Sequence, residues 1–227
     1  WTEYRHRVKA ILSTGQYVTL PINRETKEIV GEENIVSTFY APYTYKMWGK
    51  TIEELDPSVT KRLAIRDDDN QEYFPNDQFQ GVPRDGYEKL FQNIFDHENI
   101  TVELDKPFEK YMEGWYEHVF NSMAIDEYYD YEFGELPYRS IKFHNVDLPL
   151  PKLLPATVVN FTHDGPYTRM TEWKNMPSHG VNDSMTSITY EEPCDYKDNN
   201  YERYYPVKDV DGSNREIYNS YKNITKG

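Results

Sequence analysis

The sequence holds one cysteine, Cys194, in 227 residues, so no disulfide can form within the chain. A reducing compartment, the cytoplasm, is the expected setting. No apolar run approaches the ~20 residues of a membrane helix, and no signal-peptide pattern is visible. The first residue is Trp1 rather than Met, which points to a piece of a longer or processed polypeptide. Basic residues are outnumbered 25 to 39 by acidic ones, for a net charge of −14. That balance argues against nucleic acid or an anionic membrane as partner, because both need a basic surface. The six histidines are scattered, without metal-ligand spacing, and no metal is expected. The Gly-x-Gly-x-x-Gly fingerprint and the nucleophile elbow are both missing. Gly81 and Gly86 have P-loop spacing, but Tyr87 and Glu88 stand where Lys and Ser or Thr are required.

Aromatic residues are plentiful, with 21 tyrosines. Many of them will line strands. A more specific signal lies in YTYKMWGKTIEELDPSVTKRLAIR, from Tyr43 to Arg66. There Tyr43, Tyr45 and Trp48 are followed by Lys61, Arg62 and Arg66. Rings that stack a base and guanidinium forks that hold a diphosphate are what a nucleotide site needs. Asp67, Asp68 and Asp69 follow at once and read as a solvated turn. One short acidic run supplies too few ligands for a hard cation.

Residues 7–12 and 16–21 read as a β-hairpin around Gly15. Residues 26–42 are ambiguous, with Gly31 interrupting a poor helical pattern and Pro42 breaking it. Thr51 and Glu54 form a capping box, and Pro57 suits the first turn of a helix to about Leu63. Tyr87, Leu90, Phe91, Ile94 and Phe95 recur at helical spacing and predict a helix over 86–97. Strands are expected at 100–104 and 116–121. From Tyr138 onward, short strands at 138–143, 156–161, 167–173 and 185–191 alternate with turns and predict an antiparallel sheet. Residues 193–203 read as loop, and Ile217 and Tyr221 as a helix start. The fold class is α+β.

The succession LPIN, YTYKMWGK, KRLAIR, YFPNDQFQGVPRDGY, YDYEFGELPYRSIKF, VVNFTHDGPYTRMTEWK and YYPV resembles the UDP-galactopyranose mutase family over nearly the whole chain. The resemblance implies an isomerase that interconverts UDP-galactopyranose and UDP-galactofuranose on reduced FAD, for surface glycans. Flavin N5 would attack the anomeric carbon as UDP leaves, and an iminium adduct would reclose as the furanose. It implies a uracil pocket around Tyr43 and Trp48, with Arg62 on a loop closing over the diphosphate and Tyr73 beyond that loop. Arg169 would be the second diphosphate arginine. Asn160 and Tyr205 would be further substrate contacts, Asn23 would line the sugar side, and Arg139 would lie near flavin and sugar. A homodimer is a possible assembly.

The implied layout is a sheet-domain hairpin at 1–28, a reduced helical segment with the mobile loop at 29–79, part of an α/β flavin domain at 80–135, the antiparallel substrate domain at 136–207, and a tail at 208–227. The sequence departs from the family pattern in lacking the N-terminal dinucleotide glycines and the C-terminal flavin segment. The helical region is short, and Glu25 stands where the family often has histidine. A UDP-binding module without flavin, and an inactive truncated remnant, therefore stand as alternatives.

Overall fold

The computed structural model describes residues 1–59, 64–179 and 183–225. The chain divides into two compact units, Trp1–Arg84 with Tyr138–Asp211, and Asp85–Pro137 with Gly212–Gly227. Both helices and a large sheet are present, as an α+β class requires.

In the first unit, β1 (Thr2–Glu3) pairs with β4 (Gly81–Val82) as a small ribbon. The main sheet has seven strands: β2 (Val8–Ile11), β3 (Tyr17–Leu20), β5 (Tyr138–Leu148), β6 (Val158–Phe161), β7 (Arg169–Glu172), β8 (Thr186–Asp195) and β9 (Tyr205–Pro206). Their spatial order is β3-β2-β6-β7-β8-β5-β9. The expected hairpin is β2 and β3, with Gly15 at φ 84° in its turn. The sheet is mixed rather than purely antiparallel, because β2 and β6 pair in parallel, Val8 opposite Val158. That pairing joins segments far apart in sequence, so no local pattern announces it. β8 also runs on through Cys194 and Asp195, into the stretch expected to be loop, because Ile141, Ser140 and Arg139 at the start of β5 stand opposite Pro193, Cys194 and Asp195 as ladder partners.

Strand alternation splits the core between the two faces of the sheet. Val8, Ala10, Val18 and Leu20 cluster with Ile22, Ile35 and Phe39. Leu154, Val159, Met170 and Ile188 form a second cluster. Burying each of these side chains other than Ala10 stabilises the fold by ~1.5–3 kcal/mol. Val158 packs on the first cluster and its neighbour Val159 sits in the second.

The ambiguous stretch is helical. α1 (Arg24–Val30) ends at Gly31, whose φ of 84° suits glycine. A 3-10 turn at Glu32–Asn34 and a π turn at Val36–Tyr40 then lead straight into α2 (Ala41–Trp48). Pro42 does not break this helix. It occupies the first turn of α2, where an amide N–H is not required. α2 stops at Gly49, in the left-handed region at φ 66°. The capping box after it forms over one 3-10 turn, Ile52–Glu54, with Thr51 N donating to Glu54 Oε2 at 2.8 Å. Residues 57–59 are a turn, and the rest of the helix expected there lies outside the described residues.

The second unit contains α3 (Gly86–Phe95), α4 (Ile125–Tyr128) and α5 (Ser213–Ile224). α3 and α5 form where the apolar spacing places them. The strands expected at 100–104 and 116–121 do not form. Leu104 and Phe120 are exposed, Asp105 turns at positive φ, and no described strand lies in this unit to take a ladder. Tyr221 is its anchor: fully buried, it donates to Gly134 O at 2.7 Å and accepts from Phe133 N at 3.0 Å.

Candidate functional site

A cavity of about 800 Å³ opens in the first unit. Its floor is sheet: Val8 and Ala10 from β2, Leu20 from β3, Val158 and Asn160 from β6, and Arg169 from β7. Its wall is the π turn and α2, which contribute Phe39, Tyr40, Tyr43, Met47 and Trp48. His6, Tyr73 and Phe74 close another side. The combination of an apolar floor, stacked rings and one guanidinium is what a nucleotide with a charged linkage needs.

Of the residues singled out from sequence, Tyr43, Trp48, Tyr73, Asn160 and Arg169 line this cavity together. Asn160 and Arg169 stand opposite each other in the β6–β7 register. Arg169 Nη2 donates to Tyr43 Oη at 3.3 Å, and Nη1 lies 3.6 Å from Glu191 Oε1 on β8. Burial works against the charge of Arg169, but Tyr43 and Glu191 outweigh it and hold the guanidinium's pKa above its ordinary value. Arg169 Nε and Asn160 Oδ1 are buried without a protein partner. Buried polar atoms without partners are costly, so the fold keeps both side chains in place at a loss of stability.

Arg139 and Tyr205 do not line the cavity; they set its wall. Arg139 Nε donates to Met47 O at 2.9 Å and Nη2 to Lys46 O at 3.3 Å, while Tyr205 Oη donates to Met47 O at 2.5 Å. They satisfy the carbonyls that the C-terminus of α2 leaves open, and a cation belongs at that negative end. The Tyr205 ring also meets Trp48 edge-on, with centroids 4.9 Å apart. Burial pushes the Tyr205 phenol up to about 12, so it remains a donor at neutral pH.

Asn23 is fully buried and caps α1, accepting from Thr26 N at 3.0 Å. It is not among the residues lining the cavity. Arg62 lies outside the described residues. Val59, shortly before it, lines the cavity, and Ile65, shortly after it, bridges to Ile22. The acidic run is anchored: Lys27 pairs with Asp67, Arg24 with Asp69 at 3.3 Å, and Arg66 with Asp68 at 3.5 Å.

Sequence reasoning missed His6, Glu191 and Lys46. His6 Nδ1 lies 3.3 Å from Tyr4 Oη, and burial, helped by Arg169, lowers its pKa. Lys46 Nζ donates to Phe161 O, His163 O and Tyr167 O at 3.1, 3.0 and 2.9 Å, which ties the turn after β6 to α2. None of the three carries a local signal, since Lys46 and Glu191 act on residues distant in sequence and the fold alone brings His6 near Arg169.

A flavin dinucleotide needs a glycine-rich turn from a parallel strand into a helix, whose N-terminal amides hold the diphosphate. The described residues do not fit it. The parallel pair β2 and β6 is followed by hairpin turns, not helices, and Asn23's own side chain fills the N-terminus of α1.

The profile of the family described as "GLF: UDP-galactopyranose mutase" matches residues 38–227. The chain is 38% identical to dTDP-fucopyranose mutase of Escherichia coli over 96% of its own length and 59% of that protein's. It is 35% identical to a probable UDP-galactopyranose mutase of Klebsiella pneumoniae and 31% identical to the UDP-galactopyranose mutase of Mycoplasma pneumoniae. Each of those matches covers 80% of this chain, and 46% and 48% of the respective relative. The chain thus spans about half the length of the curated relatives it matches, and it belongs to the UDP-galactopyranose mutase family.

Proposed function

We propose that this chain supplies the nucleotide-sugar pocket of a mutase that interconverts the pyranose and furanose forms of a sugar carried on a nucleoside diphosphate, UDP-galactose in the first instance. The observation that carries this reading is that Arg169 and Asn160 line one cavity with the rings of Tyr43 and Trp48. Trp48, braced by Tyr205, stacks the base. Arg169 holds the diphosphate, joined by Arg62 as the family resemblance implies. Asn160 accepts a hydrogen bond from a ligand hydroxyl, and Tyr73 closes the pocket. Asn23 acts from behind, by fixing α1, and Arg139 by fixing the end of α2 that carries Trp48.

Charge grows on the diphosphate as the bond from sugar to phosphate breaks. A guanidinium already oriented by Tyr43 and Glu191 stabilises that charge without reorganising. The apolar floor keeps water from the opened sugar. The family resemblance assigns the bond chemistry to reduced FAD in the whole protein. The residues described here make no cradle for it, so the roles derived for this chain are binding, orientation and charge stabilisation. A surface-glycan role in the cytoplasm, as a dimer, follows the same resemblance.

A second reading of the ligand is a dTDP-linked 6-deoxy sugar. It is favoured by the dTDP-fucopyranose mutase match, which spans 96% of this chain where the two UDP-galactopyranose mutases span 80%. Thymine and a deoxy sugar both suit an apolar floor. The test is titration of the full chain with UDP and dTDP, followed by tryptophan fluorescence. Saturable quenching that Trp48→Phe abolishes supports the pocket, and the tighter of the two ligands fixes the base. Absence of quenching with both, together with unchanged melting temperature, sinks it.

A further inference from the structure

The charge next to Arg169 is unusual for an anion site. Glu191 Oε1 lies 3.6 Å from Arg169 Nη1, and the Glu191 side chain is only 12% exposed. The β7–β8 register sets the two residues opposite each other. Thr168 adds a second tie, with its N donating to Glu191 O at 2.9 Å. A carboxylate that close neutralises the guanidinium when the cavity holds no anion. When a diphosphate approaches the same guanidinium, the carboxylate repels it.

We propose that Glu191 is a proton-linked counter-ion: it balances Arg169 in the ligand-free pocket and takes up a proton when a nucleoside diphosphate occupies it. This rests on the reading of Arg169 as a diphosphate ligand. The groups around Glu191 leave it as the site of protonation. Arg169 faces it from β7, and the same guanidinium bonds Tyr43 Oη of α2 and feels Tyr73. On the β5 side its register partner is Phe143, which carries no proton to exchange. The next carboxylate, Glu192, is already engaged by His144 Nε2 at 2.7 Å. His6 also lies near Arg169, with its pKa lowered by burial and by that charge, and the Glu191→Gln variant separates its protonation from that of Glu191. Burial already raises the Glu191 pKa above its ordinary value against the pull of Arg169. A second anion raises it further, so the bound state holds more protons than the free state over a window above the usual carboxylate range.

The consequence for the proposed reaction is directional. With Glu191 neutral, the full charge of Arg169 is available to the diphosphate just when negative charge grows there. On release of the nucleotide the carboxylate ionises again and competes for the guanidinium, which favours product exit.

The experiment is isothermal titration of the full chain with UDP near about pH 6, in buffers of different ionisation enthalpy. A dependence of the observed heat on buffer reports the protons taken up. The expected result is net uptake in the wild type, with affinity rising as pH falls, and loss of both in Glu191→Gln. That variant should also bind UDP roughly tenfold more tightly near neutral pH, because the repelling charge is gone. Uptake that persists in Glu191→Gln belongs to another group, such as His6, and overturns the proposal. So does UDP binding that depends on Arg169 but shows no proton uptake. Binding that ignores Arg169→Ala, or no binding of UDP at all, removes the diphosphate reading and this inference with it, and is distinguished by the Arg169 variant.

Discussion

Asn160 and Arg169 are register partners across β6 and β7, and each brings a buried polar atom that no protein group satisfies. The sheet places an amide and a guanidinium side by side at the cavity floor. A diphosphate with a neighbouring hydroxyl suits that pair. Arg169→Ala should weaken UDP binding by ~1.5–3 kcal/mol, the worth of a hydrogen bond to a charged group, which is roughly ten- to a hundredfold in Kd. Asn160→Ala should cost less, about 1 kcal/mol. Both variants should melt within a few degrees of wild type. Unchanged Kd in Arg169→Ala would remove it from the site.

Trp48 is held by groups that act on the helix beneath it. Tyr205 touches its ring and, with Arg139, bonds the last carbonyls of α2. Tyr205→Phe keeps the ring contact and deletes only the hydroxyl, leaving the Met47 carbonyl to Arg139 alone. The expected loss in stability is ~0.5–1.5 kcal/mol, with a several-fold rise in the Kd for UDP. Arg139→Met should cost more on both counts, because it removes two hydrogen bonds and leaves the Lys46 carbonyl open. If Arg139→Met leaves stability intact while abolishing binding, the arginine contacts ligand directly and its helix-capping role is secondary.

Several of these relationships were open to sequence reasoning and others were not. The hairpin around Gly15, helix α3 and the strands after Tyr138 carry local periodicity, and they form. Trp48, Tyr43, Asn160 and Arg169 sit in recognisable segments, and they meet at one cavity. The parallel pairing of β2 with β6 is non-local and left no trace in either strand. The π turn before α2 could not be anticipated because Pro42 reads as a breaker until its place in the first turn is known. The two strands wrongly expected in the second unit have the right residue types but no partner edge there. Arg139 reads as a site arginine from its motif, while its guanidinium is spent on the backbone of α2.

Lys46 is half-buried, and burial lowers its pKa, yet its ammonium sends donors to Phe161 O, His163 O and Tyr167 O. An ammonium has three donors, and these carbonyls use all of them. Lys46→Met keeps the apolar stem and removes the clamp. Faster hydrogen exchange at residues 162–168 and weaker UDP binding are expected, since Phe161 and Thr162 line the cavity. Lys46→Arg should not restore the wild-type exchange, because a planar guanidinium points its donors differently. Exchange identical to wild type in Lys46→Met would show that the turn holds itself.

Glu172 gives the fold a dependence on acid. It is fully buried, and each carboxylate oxygen accepts twice: Oε1 from Leu153 N at 2.9 Å and Thr186 Oγ1 at 2.6 Å, Oε2 from Leu154 N at 2.6 Å and Asn175 Nδ2 at 2.9 Å. Burial alone would raise its pKa, but those donors together hold it below the ordinary carboxylate value. A carboxyl depressed in the folded state stabilises the fold above its unfolded pKa, and that stabilisation is lost as pH falls through the folded one. Melting temperature should therefore decline below about pH 4.5, and part of the decline should vanish in Glu172→Gln. The glutamine must turn an NH2 toward two existing donors, so it should cost ~1–3 kcal/mol near neutral pH. Equal melting temperatures for Glu172→Gln and wild type at neutral pH, with the same fall in acid, would show that the carboxylate contributes nothing to either.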